Sequence, residues 1–280
     1  MKWKRSGRLV DMTRHLLDNP HTLIPLTFFS ERYQAAKSSI SEDLAIIKET
    51  FEENGTGKLM TVSGAAGGVK YIPQVSETEV REVMALIKEN LGRSDRLLPG
   101  GYLYMTDFLG DPKIMDRIGK VFASAFGDTE IDVIMTVATK GISIAHAIAR
   151  HLNVPVVIVR RDSKVTEGST VSINYVSGST RRIQTMVLSK RSMKSGRRVL
   201  ITDDFMKAGG TMAGMKNLLE EFDCELAGIA VLVEAEHTEE VLVEDYLSLV
   251  KLRAVNEKDR TIELEEGNYF MKGGKTKWTE

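Results

Sequence analysis

The sequence predicts an α/β protein in two parts, a winged helix over residues 1–74 and a larger domain with a mostly parallel sheet over residues 75–280. Three observations carry this prediction. Three helical segments precede a glycine-rich hairpin near the start. Beyond it, short continuous apolar runs alternate with amphipathic helices, the pattern of parallel strands buried on both faces. Between the two, Pro73-Gln74-Val75 interrupts the periodicity. A chain of 280 residues also exceeds what one core of modest size usually holds and suits two.

The first helix runs from Gly7 to Asn19, with Leu9, Met12, Leu16 and Leu17 as its apolar stripe and Asn19-Pro20 as its stop. A second helical piece spans Pro25 to Tyr33. A third begins near Lys37 and repeats Ile40, Leu44, Ile47 and Phe51 on one face. Lys37, Ser38, Ser39 and Ser41 stay on its outward, N-terminal side, and small polar residues with a lysine are what a recognition helix offers to base edges and phosphates. Lys58 to Val62 and Val69 to Ile72 flank a glycine-rich turn and read as a hairpin, with Lys70 on it. Helix, helix, helix, hairpin is the order of a winged helix, with the hairpin as the wing. A small helical module for protein contact is the alternative.

Ser76-Glu77-Thr78-Glu79 reads as a capping box opening a helix that buries Val80, Val83, Met84, Ile87 and Leu91. Asp111-Pro112 opens the next, through Ile114, Ile118, Val121 and Phe122. Strands follow at Ile131–Val137, Val154–Arg160, Arg198–Thr202 and Leu226–Val233, with helices at Ile142–Leu152 and Thr211–Phe222. The stretch between Arg160 and Arg198 breaks this rhythm. Its alternating segments and glycine-serine turns predict a projecting, partly mobile hairpin. The tail from Met271 to Glu280 reads as flexible.

Composition narrows the class. A hydrophobic fraction of 42% with 28% charged residues is that of a soluble globular chain and excludes global disorder. The lone Cys224 cannot close an intramolecular disulfide and reads as a small packed residue near a helix end. The N-terminal residues lack the apolar core of a secretory signal, and no apolar run reaches a membrane-spanning length, so a cytoplasmic setting is expected. The net charge of -1 is unevenly spread. Residues 1–8 carry Lys2, Lys4, Arg5 and Arg8 and no acid, and from Arg160 to Arg198 ten Lys or Arg face only Asp162 and Glu167. Both stretches suit polyanions, duplex DNA above all for the first; solvated surface loops are the alternative.

The sharpest chemistry lies in Val199-Leu200-Ile201-Thr202-Asp203-Asp204-Phe205-Met206-Lys207-Ala208-Gly209-Gly210-Thr211. An apolar strand leads to two carboxylates, then a two-glycine loop opens a helix. Backbone N–H groups of such a loop converge on a phosphate, helped by the positive end of the helix, and glycine admits the ligand without a Cβ clash. Two carboxylates would repel that phosphate but suit the hydroxyls of a neighbouring ribose. The combination asks for a sugar phosphate.

This segment closely resembles the binding motif for 5-phosphoribosyl-1-pyrophosphate (PRPP) of the type I phosphoribosyltransferases. The resemblance implies that Asp203 and Asp204 hold ribose hydroxyls while Lys207, Ala208, Gly209, Gly210 and Thr211 cradle the 5-phosphate. Ala138-Thr139-Lys140-Gly141, after the strand ending at Val137, matches the family's pyrophosphate loop. Arg160, at the same sheet edge, is a candidate second cation, with an ion pair to Asp162 as its alternative. Phe205 is a candidate to stack on a flat base; Tyr102, in the hood above, is a second, with packing as an isolated aromatic the favoured alternative for it.

The whole chain, through Glu265-Glu266-Gly267-Asn268-Tyr269, resembles the purine operon repressors of Gram-positive bacteria, a winged helix joined to a type I phosphoribosyltransferase-like domain. That resemblance implies a homodimeric repressor of purine biosynthesis genes that binds operator DNA, takes PRPP as inducer and performs no transfer. It implies no tightly bound cofactor and no metal site of its own, with Mg2+ left open as a companion of PRPP. A purine polyphosphate nucleotide competing for the same pocket is a further expectation, from Phe205 beside Asp204. Lys207-Ala208 departs from many transferases, which carry a hydroxyl residue directly before the glycines. An active purine phosphoribosyltransferase with an accessory N-terminal module is the second reading.

Overall fold

A computed structural model describes residues 3–64, 67–162, 165–176, 182–236 and 241–272. The N-terminal part comprises α1 (Arg5–Asp18), β1 (Ile24–Pro25), α2 (Leu26–Tyr33), α3 (Lys37–Glu53), β2 (Gly57–Val62) and β3 (Gly68–Pro73). The three strands form an antiparallel sheet in the order β1-β3-β2. The predicted stripe of α3 is buried throughout, and Ile40, Leu44, Ile47 and Phe51 share one core with Met12, Leu16, Phe29, Tyr33, Leu59 and Tyr71. Gly68 is required where the hairpin meets β1, because a Cβ there would sit 2.3 Å from the carbonyl oxygen of Ile24. The Ala65-Ala66 part of the wing turn lies outside the described residues.

The second part continues with α4 (Glu77–Leu91), β4 (Leu97–Leu98), β5 (Tyr102–Leu103), α5 (Thr106–Gly110), α6 (Pro112–Ala125), β6 (Val133–Val137), α7 (Gly141–Leu152) and β7 (Val156–Val159). It closes with β8 (Thr170–Val176), β9 (Ile183–Ser189), β10 (Arg198–Met206), α8 (Gly210–Glu220), β11 (Glu225–Ala235), β12 (Leu247–Asn256) and β13 (Thr261–Glu266). Ser76 caps α4, its hydroxyl accepting from the Glu79 amide at 3.1 Å, and Asp111 caps α6 through the amides of Lys113 and Ile114. All five predicted inward residues of α4 are buried.

Six strands form the main sheet in the order β13-β12-β11-β10-β6-β7. Every neighbouring pair is parallel except β12 with β13. One apolar cluster fills the side of α4, α6 and α7, and a second fills the side of α8. The antiparallel β12–β13 pair was not expected from the sequence. In β13 the exposed Thr261, Glu263 and Glu265 alternate with the half-buried Ile262, Leu264 and Glu266, a charged pattern that hides its strand character.

Two expectations are corrected. The strand expected to end at Thr202 runs on to Met206, through both aspartates, because β11 keeps pairing alongside as far as Met206 with Glu234. The hairpin expected to project is instead docked along one face: Tyr175, beside the turn, and Met186, midway along β9, are buried against α8, where Gly214 makes room for the Tyr175 ring. Arg160 and Val187 exchange both backbone hydrogen bonds, which fastens β9 to the end of β7. Only toward its far end does the hairpin expose large apolar groups, at Val176 and Ile183. Its glycine-serine turn at 177–181 and the tail from 273 on lie outside the described residues. Among the described residues no helix is long and apolar enough to cross a membrane.

Candidate functional site

At the C-terminal edge of the parallel strands a cavity of about 860 Å³ opens. Its walls bring together Tyr102, Ala138, Thr139, Lys140, Arg160, Asp203, Asp204, Phe205, Lys207, Ala208, Gly209, Gly210 and Thr211. Every predicted effector residue except Gly141 is among them. Gly141 lies just beneath, buried, where a Cβ would stand 2.8 Å from Oδ1 of Asp203 and 2.2 Å from Oγ1 of Thr136. Its contribution is to let the start of α7 approach the acid strand.

Asp203 is 6% exposed, and its Oδ1 accepts from the Asp204 amide at 3.0 Å. Burial first, and the neighbouring carboxylate second, push the Asp203 carboxyl well above the usual range. Burial also raises Asp204, against the charge of Lys140, which favours its ionised form. Such a pair gains from hydroxyl donors and from cations. Ribose hydroxyls would supply the first; Lys140 and Arg161 supply the second.

The loop after the acids turns at Gly209, whose φ of 77° is costly for a residue with a Cβ. It opens α8 with no side-chain cap, which leaves first-turn amides for an anion. The Ala208 carbonyl accepts from the Leu242 amide at 3.0 Å, holding the loop from the far side. In the other loop, the Ala138 amide donates to Val159 at 2.8 Å, the Ala138–Thr139 peptide is cis, and Thr139 and Lys140 are exposed. Arg160 pairs with Glu167 at 3.4 Å, while the adjacent Arg161 and Asp162 line the cavity. Sequence reasoning singled out Arg160 and missed Arg161, since adjacent arginines at a strand end carry nothing that says which one faces a ligand. Tyr102, 64% exposed on the small β4–β5 hairpin, stands at the cavity, and Phe205 is a half-buried part of its wall. No cluster of metal-ligating side chains occurs among the described residues.

The predicted DNA-facing residues divide. Lys4, Lys37, Ser38 and Ser41 are exposed, Ser39 and Lys70 half-buried, and Ser41 returns its hydroxyl to the Lys37 carbonyl at 3.0 Å. The start of α3 has no side-chain cap, so its amides are open to a phosphate. Arg5 and Arg8, expected in a free basic arm, instead converge on Asp43 of α3, Arg5 Nε at 2.9 Å and Arg8 Nη2 at 2.8 Å. The pattern hid Asp43, a buried acid in an otherwise polar stretch of helix. Lys2 lies outside the described residues.

A winged helix carried by a doubly wound sheet, with an acid pair and an amide-lined bend at the strand ends, is the build of a nucleic-acid-binding module joined to a phosphoribosyltransferase-type domain. Comparison with known proteins agrees. Residues 4–73 match the family model described as the N-terminal domain of the bacterial purine repressor, and residues 105–261 match the phosphoribosyl transferase domain. Over 270 residues the chain is 63% identical to the purine biosynthesis transcriptional repressor of Bacillus subtilis, covering 96% of this chain and 95% of that one. It is 47% identical over 267 residues to the purine biosynthesis transcriptional activator of Lactococcus lactis, covering 95% and 98%. The adenine phosphoribosyltransferase of Thermoanaerobacter pseudethanolicus superposes with a TM-score of 0.51 at 22% identity, over 61% of this chain and 99% of that one, a likeness of fold. The chain belongs to the bacterial purine repressor family.

Proposed function

We propose that this protein is a DNA-binding transcriptional repressor of purine biosynthesis genes whose phosphoribosyltransferase-like domain, beginning near residue 75, binds PRPP as inducer without transferring it. The single observation that carries the reading is the cavity, which gathers Asp203, Asp204, the 207–211 bend and Lys140 on a chain that also holds a winged helix. Ribose hydroxyls donate to the two carboxylates. The 5-phosphate sits on the amides that open α8, and the pyrophosphate meets Lys140 and the cations at the end of β7. No cofactor is held permanently, and Mg2+ enters with the polyphosphate.

Operator DNA is the partner of the exposed start of α3 and of the wing, and a cytoplasmic homodimer is the working unit. PRPP and DNA bind at separate places, so an arrangement favourable to one and not the other makes each weaken the other by the same factor. Of the two relatives compared above, the one named a repressor is 63% identical and the one named an activator 47%, which supports repression. Phe205 and Tyr102 offer flat faces to a base, which supports a purine polyphosphate nucleotide competing for the cavity. Lys207-Ala208, in place of a hydroxyl residue before the glycines, supports binding without turnover.

The test is fluorescence anisotropy on a purine-gene control region with and without PRPP, with purine bases added in parallel. PRPP is expected to raise the Kd for DNA at least about tenfold, within the usual range of such couplings, and the Asp203→Ala and Asp204→Ala variants to lose the response. Steady nucleotide formation from PRPP and a purine base, or DNA binding indifferent to PRPP, overturns the reading.

A further inference from the structure

Helix α7 touches both functional regions. It starts one residue after Lys140, with Gly141 pressed against Asp203 and Thr136 so closely that no side chain fits between them. Its 12 residues span about 18 Å at 1.5 Å per residue, from the strand ends that form the cavity to the opposite edge of the sheet. There it ends on Asn153, in the left-handed conformation with φ 57°. The Asn153 amide donates from Nδ2 to Oγ1 of Thr22 at 2.9 Å, and Thr22 belongs to the turn between α1 and β1. Beside it, the His21 amide donates to the Tyr71 carbonyl at 2.8 Å, which ties that turn to β3 of the wing.

The helix is braced along its length, so a displacement at one end reaches the other. On α6, Gly119 lets the two helices approach until a Cβ there would lie 2.5 Å from the Ala147 carbonyl. Asp116 of α6 accepts from His151 at 3.1 Å and pairs with Arg150 at 3.4 Å, near the same end of α7 as Asn153. From α6, Ser124 Oγ accepts from the Val75 amide at 3.2 Å, where the chain leaves the wing. A closely packed helix pair moves as a unit more readily than it bends.

We infer that the Asn153–Thr22 hydrogen bond is the joint through which occupancy of the Asp203–Lys140 cavity is transmitted along α7 to the winged helix, so that these two residues set the coupling between effector and DNA and neither binding event alone. The inference rests on the function proposed above. Its particular content is that the coupling is separable from both affinities at a contact that touches neither ligand, a claim about a defined joint and not about a diffuse pathway.

The experiment uses the full chain in three variants, Asn153→Gly, Thr22→Val and the double. Glycine keeps the left-handed helix end and removes the amide; valine keeps the shape of threonine and removes the hydroxyl. PRPP affinity by calorimetry, DNA affinity by anisotropy, Tm, and the ratio of DNA Kd with and without saturating PRPP are measured for each. The expected result is both affinities within about threefold of wild type, Tm little changed, and the ratio reduced at least about fivefold in each single variant, with the double no worse than either, as for one shared contact. If wild type responds to PRPP and the variants respond equally, the joint is overturned and the function stands. A wild type indifferent to PRPP removes the function and the joint together. A drop in either affinity that accounts for the lost ratio assigns the pair a structural role and also overturns the inference.

Discussion

The guanidinium of Arg8 lies 2.8 Å from Oδ2 of Asp43, a carboxylate with no solvent exposure that also takes Arg5 at 2.9 Å. One acid on the inner side of α3 thereby binds two cations of α1 and ties the two helices together. Removing it in Asp43→Ala leaves Arg8, whose side chain is 15% exposed, without its partner. Arg5, 55% exposed, rehydrates, so the loss should fall near the lower end of the range for broken buried pairs, roughly 2–4 kcal/mol. Urea unfolding followed by circular dichroism measures it, and a change under about 0.5 kcal/mol would show that the pair contributes nothing.

The same geometry separates cations exposed to solvent, Lys4 and Lys37, from those held on Asp43, Arg5 and Arg8. Lys4→Ala and Lys37→Ala are each expected to flatten the slope of log Kd against log salt by about 0.9. Arg8→Ala, whose charge is already compensated, is expected to leave the slope unchanged while lowering Tm. Titrations at three or more salt concentrations distinguish the two behaviours.

Asp203 links stability to pH. Burial raises its carboxyl in the folded chain, so between the ordinary carboxylate range and the raised value the folded state holds more protons than the unfolded one. The stability present below the ordinary value is therefore lost as pH climbs through the raised one. Asp203→Asn keeps an acceptor for the Asp204 amide and carries no charge. It should melt higher than wild type at pH 7, converge with it below about pH 4, and bind PRPP poorly. A variant that melts lower at pH 7 would refute the electrostatic cost assigned to this carboxylate.

Gly141→Ala tests the close approach of α7. A Cβ there would stand 2.2 Å from Thr136 Oγ1, 2.8 Å from Asp203 Oδ1 and 3.4 Å from the Asp203 Cα, so a loss of roughly 1–3 kcal/mol is expected from overpacking, together with weaker PRPP binding. Unchanged calorimetry and unchanged melting would show that the helix start adjusts freely.

Much of this was legible in the residues. The repeat of Ile40, Leu44, Ile47 and Phe51 marked the buried face of α3, and Ser76 and Asp111 marked two helix starts, because caps and periodicity are local. The acid pair and the bend behind it were legible because the sugar-phosphate chemistry they suit sits in thirteen consecutive residues, 199–211. What escaped depends on partners distant in sequence. Asp43 reads as a surface acid until α1 packs on it, 35 residues away from Arg8. β10 outlasts its apolar run because β11 continues beside it, and Arg161, not only Arg160, reaches the cavity because β9 and Glu167 engage Arg160.

Each margin of the main sheet carries a device that discourages a further strand. On one side β13 places Glu263 and Glu265 at alternate positions, so a second molecule adding its own outer strand there would stack carboxylate on carboxylate. On the other, Val187 already occupies the backbone groups of Arg160 at the end of β7. Strand addition is thus disfavoured at these two places, which steers any association of this domain toward side chains on helices and hairpins, where contacts can loosen or tighten without unravelling the sheet.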